Sequence, residues 1–82
     1  MANYPNPFAS STRIQYSTPL PGHVDLRVFD ILGRTVAVLT NQMKEPGHHE
    51  VNWDAGGLPR GPYVVRVQTS TALETRLIVK GQ

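Results

Sequence analysis

An alternation of apolar and polar side chains with a period of two runs through most of this chain, and it leaves room for little except β-structure. Over His23–Asp30, Val24, Leu26 and Val28 face one way, while Asp25, Arg27 and Phe29 face the other. Period two marks a strand with one face buried, because successive Cβ atoms point to opposite sides of the pleat. Thr12–Ser17 alternates likewise, with Ile14 and Tyr16 set against Arg13 and Gln15. Tyr63–Thr69 turns Tyr63, Val65 and Val67 inward and Val64, Arg66 and Gln68 outward. Leu73–Lys80 places Leu73, Thr75, Leu77 and Val79 on one face, and Arg76 and Lys80 on the other with Ile78 between them. Two less regular runs complete the set. Arg34–Thr40 carries Val36, Val38 and Leu39, and His48–Trp53 holds His49, Val51 and Trp53 to one side. No segment sustains the 3.6-residue apolar period of an amphipathic helix.

Turn chemistry separates these runs. Thr18-Pro19-Leu20-Pro21-Gly22 breaks the first from the second. Asp30-Ile31-Leu32-Gly33 reads as a type I turn closed by a glycine at positive φ, a common hairpin loop. Asn41–Gly47 reads as a loop punctuated by Pro46-Gly47, Asp54–Pro62 as a Gly- and Pro-rich loop, and Ser70-Thr71 as a short turn. Six short strands and an extended N-terminal segment predict an all-β fold, an Ig-like antiparallel β-sandwich of about seven strands. With 82 residues the chain makes one domain. Such a domain removes roughly 60% of its unfolded surface from water, so the core is modest. Trp53, and Tyr63 after its Gly-rich corner, suit that core because each has a polar tip that can reach a partner.

The segment before the first strand reads Asn3-Tyr4-Pro5-Asn6-Pro7-Phe8. Each proline holds φ at about −65° and removes a backbone donor, so this is neither a helix interior nor a central strand. The residues before the prolines are pushed toward extended geometry. Yet the segment carries two aromatics, Tyr4 and Phe8, for which a plain linker has little use. It reads as an extended strip that docks by its rings, closing the sandwich over Phe29 and marking the start of the domain.

Composition excludes several functions. Eight Lys and Arg against six Asp and Glu give a net charge of +2, too small and scattered for a nucleic-acid surface. No apolar run approaches the roughly 20 residues of a membrane span. The chain has no cysteine, hence neither disulfide nor thiolate site. Nucleophile elbow, phosphate loop and zinc-protease motifs are all missing. His48-His49-Glu50 offers ligand types, but neighbouring strand residues point to opposite faces, and His48 with Glu50 makes only two ligands. The expectation is therefore no catalytic residue, no metal and no cofactor. Six of the eight cations are arginines, and Arg13, Arg27, Arg66 and Arg76 fall on outward faces in this reading. Arginine suits bidentate contacts to anionic groups. Phe29 is the one aromatic out of phase with its strand, and with Tyr4 it is a candidate for stacking on sugar rings.

Taken jointly, the motifs resemble a known family. Asn3-Tyr4-Pro5-Asn6-Pro7-Phe8, then Ser11-Thr12-x-Ile14-x-Tyr16, then Val24-x-Leu26-x-Val28-Phe29-Asp30-x-x-Gly33-Arg34-x-Val36 look like the type A C-terminal sorting domain of the type IX (Por) secretion system. The resemblance continues through Gly47-x-His49-x-Val51-x-Trp53-Asp54 and Leu58-x-x-Gly61-x-Tyr63. It ends with Arg76-Leu77-Ile78-Val79-Lys80, similar to the family's basic–apolar–basic tail. Two positions depart from the pattern: Ala9-Ser10 stands where the family often has Asn-Pro, and Phe29 where it usually has Tyr. The Trp–Asp–Gly–Tyr half also resembles the Ig-like domain of flagellar hook-capping proteins.

The resemblance implies a non-catalytic address label at the end of a secreted enzyme or adhesin. Its partners would be the N-terminal cargo domain, an outer-membrane translocon, a sortase-like peptidase that removes the label, and anionic lipopolysaccharide to which the cargo is joined. The route implied is through the periplasm to the cell surface or medium. Met1-Ala2 reads as the start of an expressed fragment and residues 3–82 as the sorting domain. Arg76, Leu77, Ile78, Val79 and Lys80 are the candidate recognition residues, read by strand addition at a terminal edge together with charge contacts from Arg76 and Lys80. Tyr4, Pro5, Asn6, Pro7, Phe8, Gly33, Trp53, Asp54, Gly61 and Tyr63 are the motif residues expected to be structural. Two other classes stay open: a glycan-binding or spacer module of a secreted polysaccharide-degrading enzyme, and a hook-cap-like assembly domain.

Overall fold

Pairing of the alternating segments produces seven strands and, among the described residues, no helix. They are β1 (Ala2–Tyr4), β2 (Ser11–Thr18), β3 (Gly22–Phe29), β4 (Thr35–Lys44), β5 (Gly47–Asp54), β6 (Gly61–Gln68) and β7 (Leu73–Lys80). The structure, a computed structural model, describes residues 1–81. Gln82, which the sequence reading places at the end of the domain, lies outside the described residues. One antiparallel sheet has the order β1-β2-β5 and the other β4-β3-β6-β7. The two stack as a sandwich, as the periodicity predicts. In the constant-type immunoglobulin division the fourth strand joins the first sheet. Here β4 pairs with β3 instead.

The alternation becomes the core almost unchanged. Thr12, Ile14, Tyr16 and Thr18 on β2, Val24, Leu26 and Val28 on β3, and Tyr63, Val65 and Val67 on β6 are all buried. Phe8, Trp53, Ala55 and Ile78 complete the cluster. On β7 the inward face is the one with Ile78; Leu73 and Leu77 on the other face are largely exposed.

β4 departs from both period and predicted length. Its register against β3 shifts twice, between Leu26 and Arg27 and between Val28 and Phe29. At each shift β4 contributes one residue more than β3, Leu39 and Val36 in turn, which is the count of a β-bulge. Neighbours such as Val36 and Ala37, or Leu39 and Thr40, are then covered together, and the alternation disappears. The strand also runs on to Lys44, through four residues that the sequence reading assigns to a loop. Gly22–Asp25 of β3 continue the hydrogen-bonded ladder there, pairing with Asn41–Lys44, and this outweighs the poor strand propensity of Asn41. Only Glu45 and Pro46 remain to connect β4 to β5. The following loop is likewise shorter than expected, because β6 begins at Gly61.

The two turns with special geometry follow the sequence. Gly33 has φ 84°, a left-handed value at which a side chain would be strained. Its N–H donates to the Asp30 carbonyl at 3.0 Å, and the Asp30 N–H donates to the Arg34 carbonyl at 2.9 Å. The Asp30 carboxylate accepts from the N–H groups of Leu32 and Arg34 and from Arg34 Nε. These contacts, led by the Arg34 N–H, hold its carboxyl below the ordinary value. At the neighbouring corner of the same end the Tyr63 hydroxyl donates to the Pro59 carbonyl at 2.6 Å, a bond four residues upstream like that of an immunoglobulin tyrosine corner.

Candidate functional site

The two ends of the chain meet. Asn3 and Tyr4 pair with Ile14 and Arg13 as the end of β1. The chain then crosses from one sheet to the other through Pro5-Asn6-Pro7, with the Tyr4-Pro5 and Asn6-Pro7 peptides cis. Thr12 Oγ1 donates to the Pro5 carbonyl at 2.9 Å. Asn6 Oδ1 accepts the Val79 N–H at 3.1 Å. Phe8 then runs parallel to the end of β7: its N–H donates to the Val79 carbonyl at 3.1 Å, and its carbonyl accepts the Gly81 N–H at 2.9 Å. The strip therefore supplies the partners that an edge strand lacks at Val79 and Gly81.

Phe8 is the ring by which the strip docks. It is 2% exposed and stands edge-on to Trp53, with centroids 5.7 Å apart. Trp53 in turn stands edge-on to Tyr63 at 5.5 Å. Edge-to-face contacts set the positive rim of one ring against the negative face of the next. Three widely separated motif residues thus form one aromatic column between the sheets. Asp54, next to it, accepts the Gly56 N–H and shapes the loop that follows. Gly61 at φ 134° ends that loop.

Two expectations for the strip are corrected. Tyr4 does not dock: it is 69% exposed, with the Arg13 guanidinium 5.9 Å from its ring. Nor does the strip close over Phe29. Phe29 lies on the outer face of the four-stranded sheet, whereas the strip seals the space between the sheets beside β7. The Arg66 guanidinium, 4.8 Å from the ring centroid, covers Phe29 instead. Asp25 stands by this pair, bonded to Arg27 at 2.7 Å and 4.0 Å from Arg66. The bond to Asp25 raises the pKa of Arg27.

The five candidate recognition residues divide between two faces. Ile78 is fully buried. Lys80 is only 6% exposed, and its ammonium donates to the carbonyls of Leu58 at 2.5 Å and Gly56 at 3.4 Å. Lys80 is thus an internal hook on the Ala55–Arg60 loop, and its charge is not displayed. Arg76 shares that face at the open rim of the sandwich. Its Nε donates to Asn3 Oδ1 at 3.2 Å and its Nη1 to the Met1 carbonyl at 3.0 Å. The Met1 amine pairs with Glu74 at 2.9 Å. Met1 packs against the core, and Ala2 opens β1. Leu77 and Val79 face outward. Leu77 continues a row across three strands, since Phe29 pairs with Val64 and Val64 with Leu77.

The histidines stay apart. His49 Nε2 donates to the Glu45 carbonyl at 2.8 Å with its ring against Tyr16, while His48 and Glu50 are exposed. Among the described residues no three His, Cys, Asp or Glu side chains cluster as metal ligands, and no helix is long and apolar enough to cross a membrane.

Sequence reasoning missed the burial of Lys80 and the covering of β7 by Asn6 and Phe8. Parity carries the first signal, because Lys80 is two residues from Ile78. The second has none, since residues 73 positions apart meet only through the fold.

The profile of the family described as the secretion system C-terminal sorting domain matches residues 2–80. No curated protein and no solved structure matches the chain.

Proposed function

Because the chain belongs to the secretion system C-terminal sorting domain family, we propose that it directs a cargo protein through the type IX translocon by presenting the outer side of its last strand. The family match along nearly the whole chain carries this reading. The family is non-catalytic, and its sorting role means export to the cell surface or the medium. The finer route proposed here is passage through the periplasm, removal of the domain by a sortase-like peptidase, and attachment of the cargo to anionic lipopolysaccharide.

Within Arg76–Lys80 the proposed division of labour follows burial. Leu77 and Val79 are available to a receptor, and Arg76 stands at the rim. Ile78 and Lys80 act indirectly by holding the strand and the Ala55–Arg60 loop in place. Fusion of the domain to a fluorescent cargo, in a host with an intact translocon, tests this. Deleting Arg76–Gln82 is expected to leave the cargo in the periplasm. Since that deletion also removes Ile78 from the core, Leu77→Ser provides the informative comparison: the domain stays folded and export falls. Normal surface display of both variants sinks the proposal.

One observation favours a second reading. Tyr4 is exposed beside Arg13 and Asn52 on the outer face of the three-stranded sheet, an aromatic with polar neighbours of the kind that stacks on sugars. A glycan-binding module loses retention on insoluble polysaccharide when Tyr4→Ala is made; a sorting domain shows no such retention.

A further inference from the structure

Sheet edges attract other strands, because each presents a row of unpaired N–H and C=O groups. Three of the four edges in this sandwich are guarded. β1 is three residues long. β4 is twice bulged. β5 turns His48, Glu50, Asn52 and Asp54 to solvent. The fourth, β7, is covered only at its end, where Val79 and Gly81 bond to Asn6 and Phe8. Its pairing with β6 is continuous, so its backbone groups alternate in direction without interruption. Leu73, Thr75 and Leu77 therefore point their N–H and C=O groups the same way as Val79, away from β6. Among the described residues these groups have no backbone partner. The outward side chains beside them are apolar, with Leu73 63% and Leu77 59% exposed.

We propose that this open edge pairs antiparallel with the same edge of a second copy of the chain, about a two-fold axis at Thr75. The strip closes the edge beyond Leu77, which leaves Thr75 at the midpoint of the three free residues. A two-fold there sets Leu73 opposite Leu77 of the second copy, Thr75 opposite Thr75, and Leu77 opposite Leu73. All three are hydrogen-bonded positions, each exchanging both N–H···O=C bonds. On the outer face the leucines meet in two cross-strand pairs. On the inner face Glu74 stands opposite Arg76 of the second copy, and Arg76 opposite Glu74.

The charges also select the register. A slip of two residues in one direction sets Glu74 against Glu74, and in the other direction Arg76 against Arg76. Like charges directly opposite oppose pairing. Both side chains keep exposed polar atoms beside their contacts with the N-terminal residues: Glu74 is 57% exposed although it pairs with the Met1 amine, and Arg76, bonded to Asn3 and Met1 through Nε and Nη1, is exposed with Nη2 uncommitted among the described residues. The contact is isologous and closes at two copies. Its area is that of one edge, below the usual size of stable interfaces, so association is weak and needs high protein concentration. A translocon strand adding at the same edge would exclude it, but the pairing itself does not depend on the sorting reading.

Sedimentation equilibrium of the 82-residue chain, from micromolar to millimolar concentration, is the test. The 9.1 kDa species is expected to double in mass, with amide exchange at Leu73, Thr75 and Leu77 slowing as concentration rises. Glu74→Arg alone and Arg76→Glu alone each create two like-charged pairs and weaken dimerisation at least about tenfold. An equimolar mixture of these two variants re-forms complementary pairs, so it gives a heterodimer where neither variant gives a homodimer. Circular dichroism verifies that each variant is folded. A monomer at every concentration overturns the proposal. So does a dimer that persists through both charge reversals, because it must use another surface.

Discussion

At the scale of single residues, chemistry and burial disagree most at Lys80. A lysine at the end of the last strand suggests a displayed charge, yet its ammonium lies against two loop carbonyls inside the molecule. Lys80→Met keeps the aliphatic stem and removes the donor, so the carbonyls of Leu58 and Gly56 lose their partner. A loss of about 1–3 kcal/mol is expected, read from the urea midpoint. Asp30 gives a pH signature instead. Its folded-state pKa is lowered, so its contribution is present above its unfolded value and is lost as pH falls through the lowered folded value. Asp30→Asn should therefore lower the melting temperature at neutral pH, and the gap from the parent should close in acid. The turn at Asp30–Gly33 was legible in the sequence because its chemistry is local. The partners of Lys80 were not, because the loop it holds is more than twenty residues away.

At the scale of elements, the part of the N-terminal strip beyond β1, Pro5–Phe8, partners the end of a sheet edge without forming a strand. It supplies hydrogen bonds to the end of β7 and inserts Phe8 against Trp53. Phe8→Ala is expected to cost about 3–5 kcal/mol. Domains of this size often have only about 5 kcal/mol of stability, so the variant keeps at most about 2 kcal/mol and should melt far below the parent, visible as loss of near-ultraviolet dichroism from Trp53 at a much lower temperature. Tyr4→Ala, in contrast, should leave the melting temperature nearly unchanged, because Tyr4 is exposed. Two aromatics of one short motif were indistinguishable in sequence; their different fates follow from which one reaches the gap between the sheets. β4 makes the same case for strands. Its length was underestimated because Asn41 and Gln42 read as loop residues, while the ladder offered by β3 holds them in place.

At the scale of the whole molecule, a small sandwich with a filled interior offers a receptor only its edges and outer faces, and the proposed recognition surface is the outer face beside β7. The row Phe29, Val64, Leu77 runs across that face next to the open part of β7. Export in the translocon-bearing host should be more sensitive to Leu77→Ser than to Arg13→Ala on the opposite sheet, with both variants folded and measured by surface fluorescence. Equal effects would show that the outer face of β7 has no special part in recognition.

Residue order alone was enough for the class of fold, most strand positions, the inward faces of β2, β3 and β6, and the turn at Gly33. Each depends on period, turn chemistry and residue type within a few positions, which the chain states directly. Its joint motifs also identified the family. It took the folded arrangement to show that Asn6 and Phe8 close the end of β7, that Arg66 covers Phe29, that β4 is bulged, and that Lys80 points inward while Leu77 does not. Those outcomes rest on contacts between segments distant in sequence, and on competition among several side chains for one small core. Local pattern carries no record of that competition.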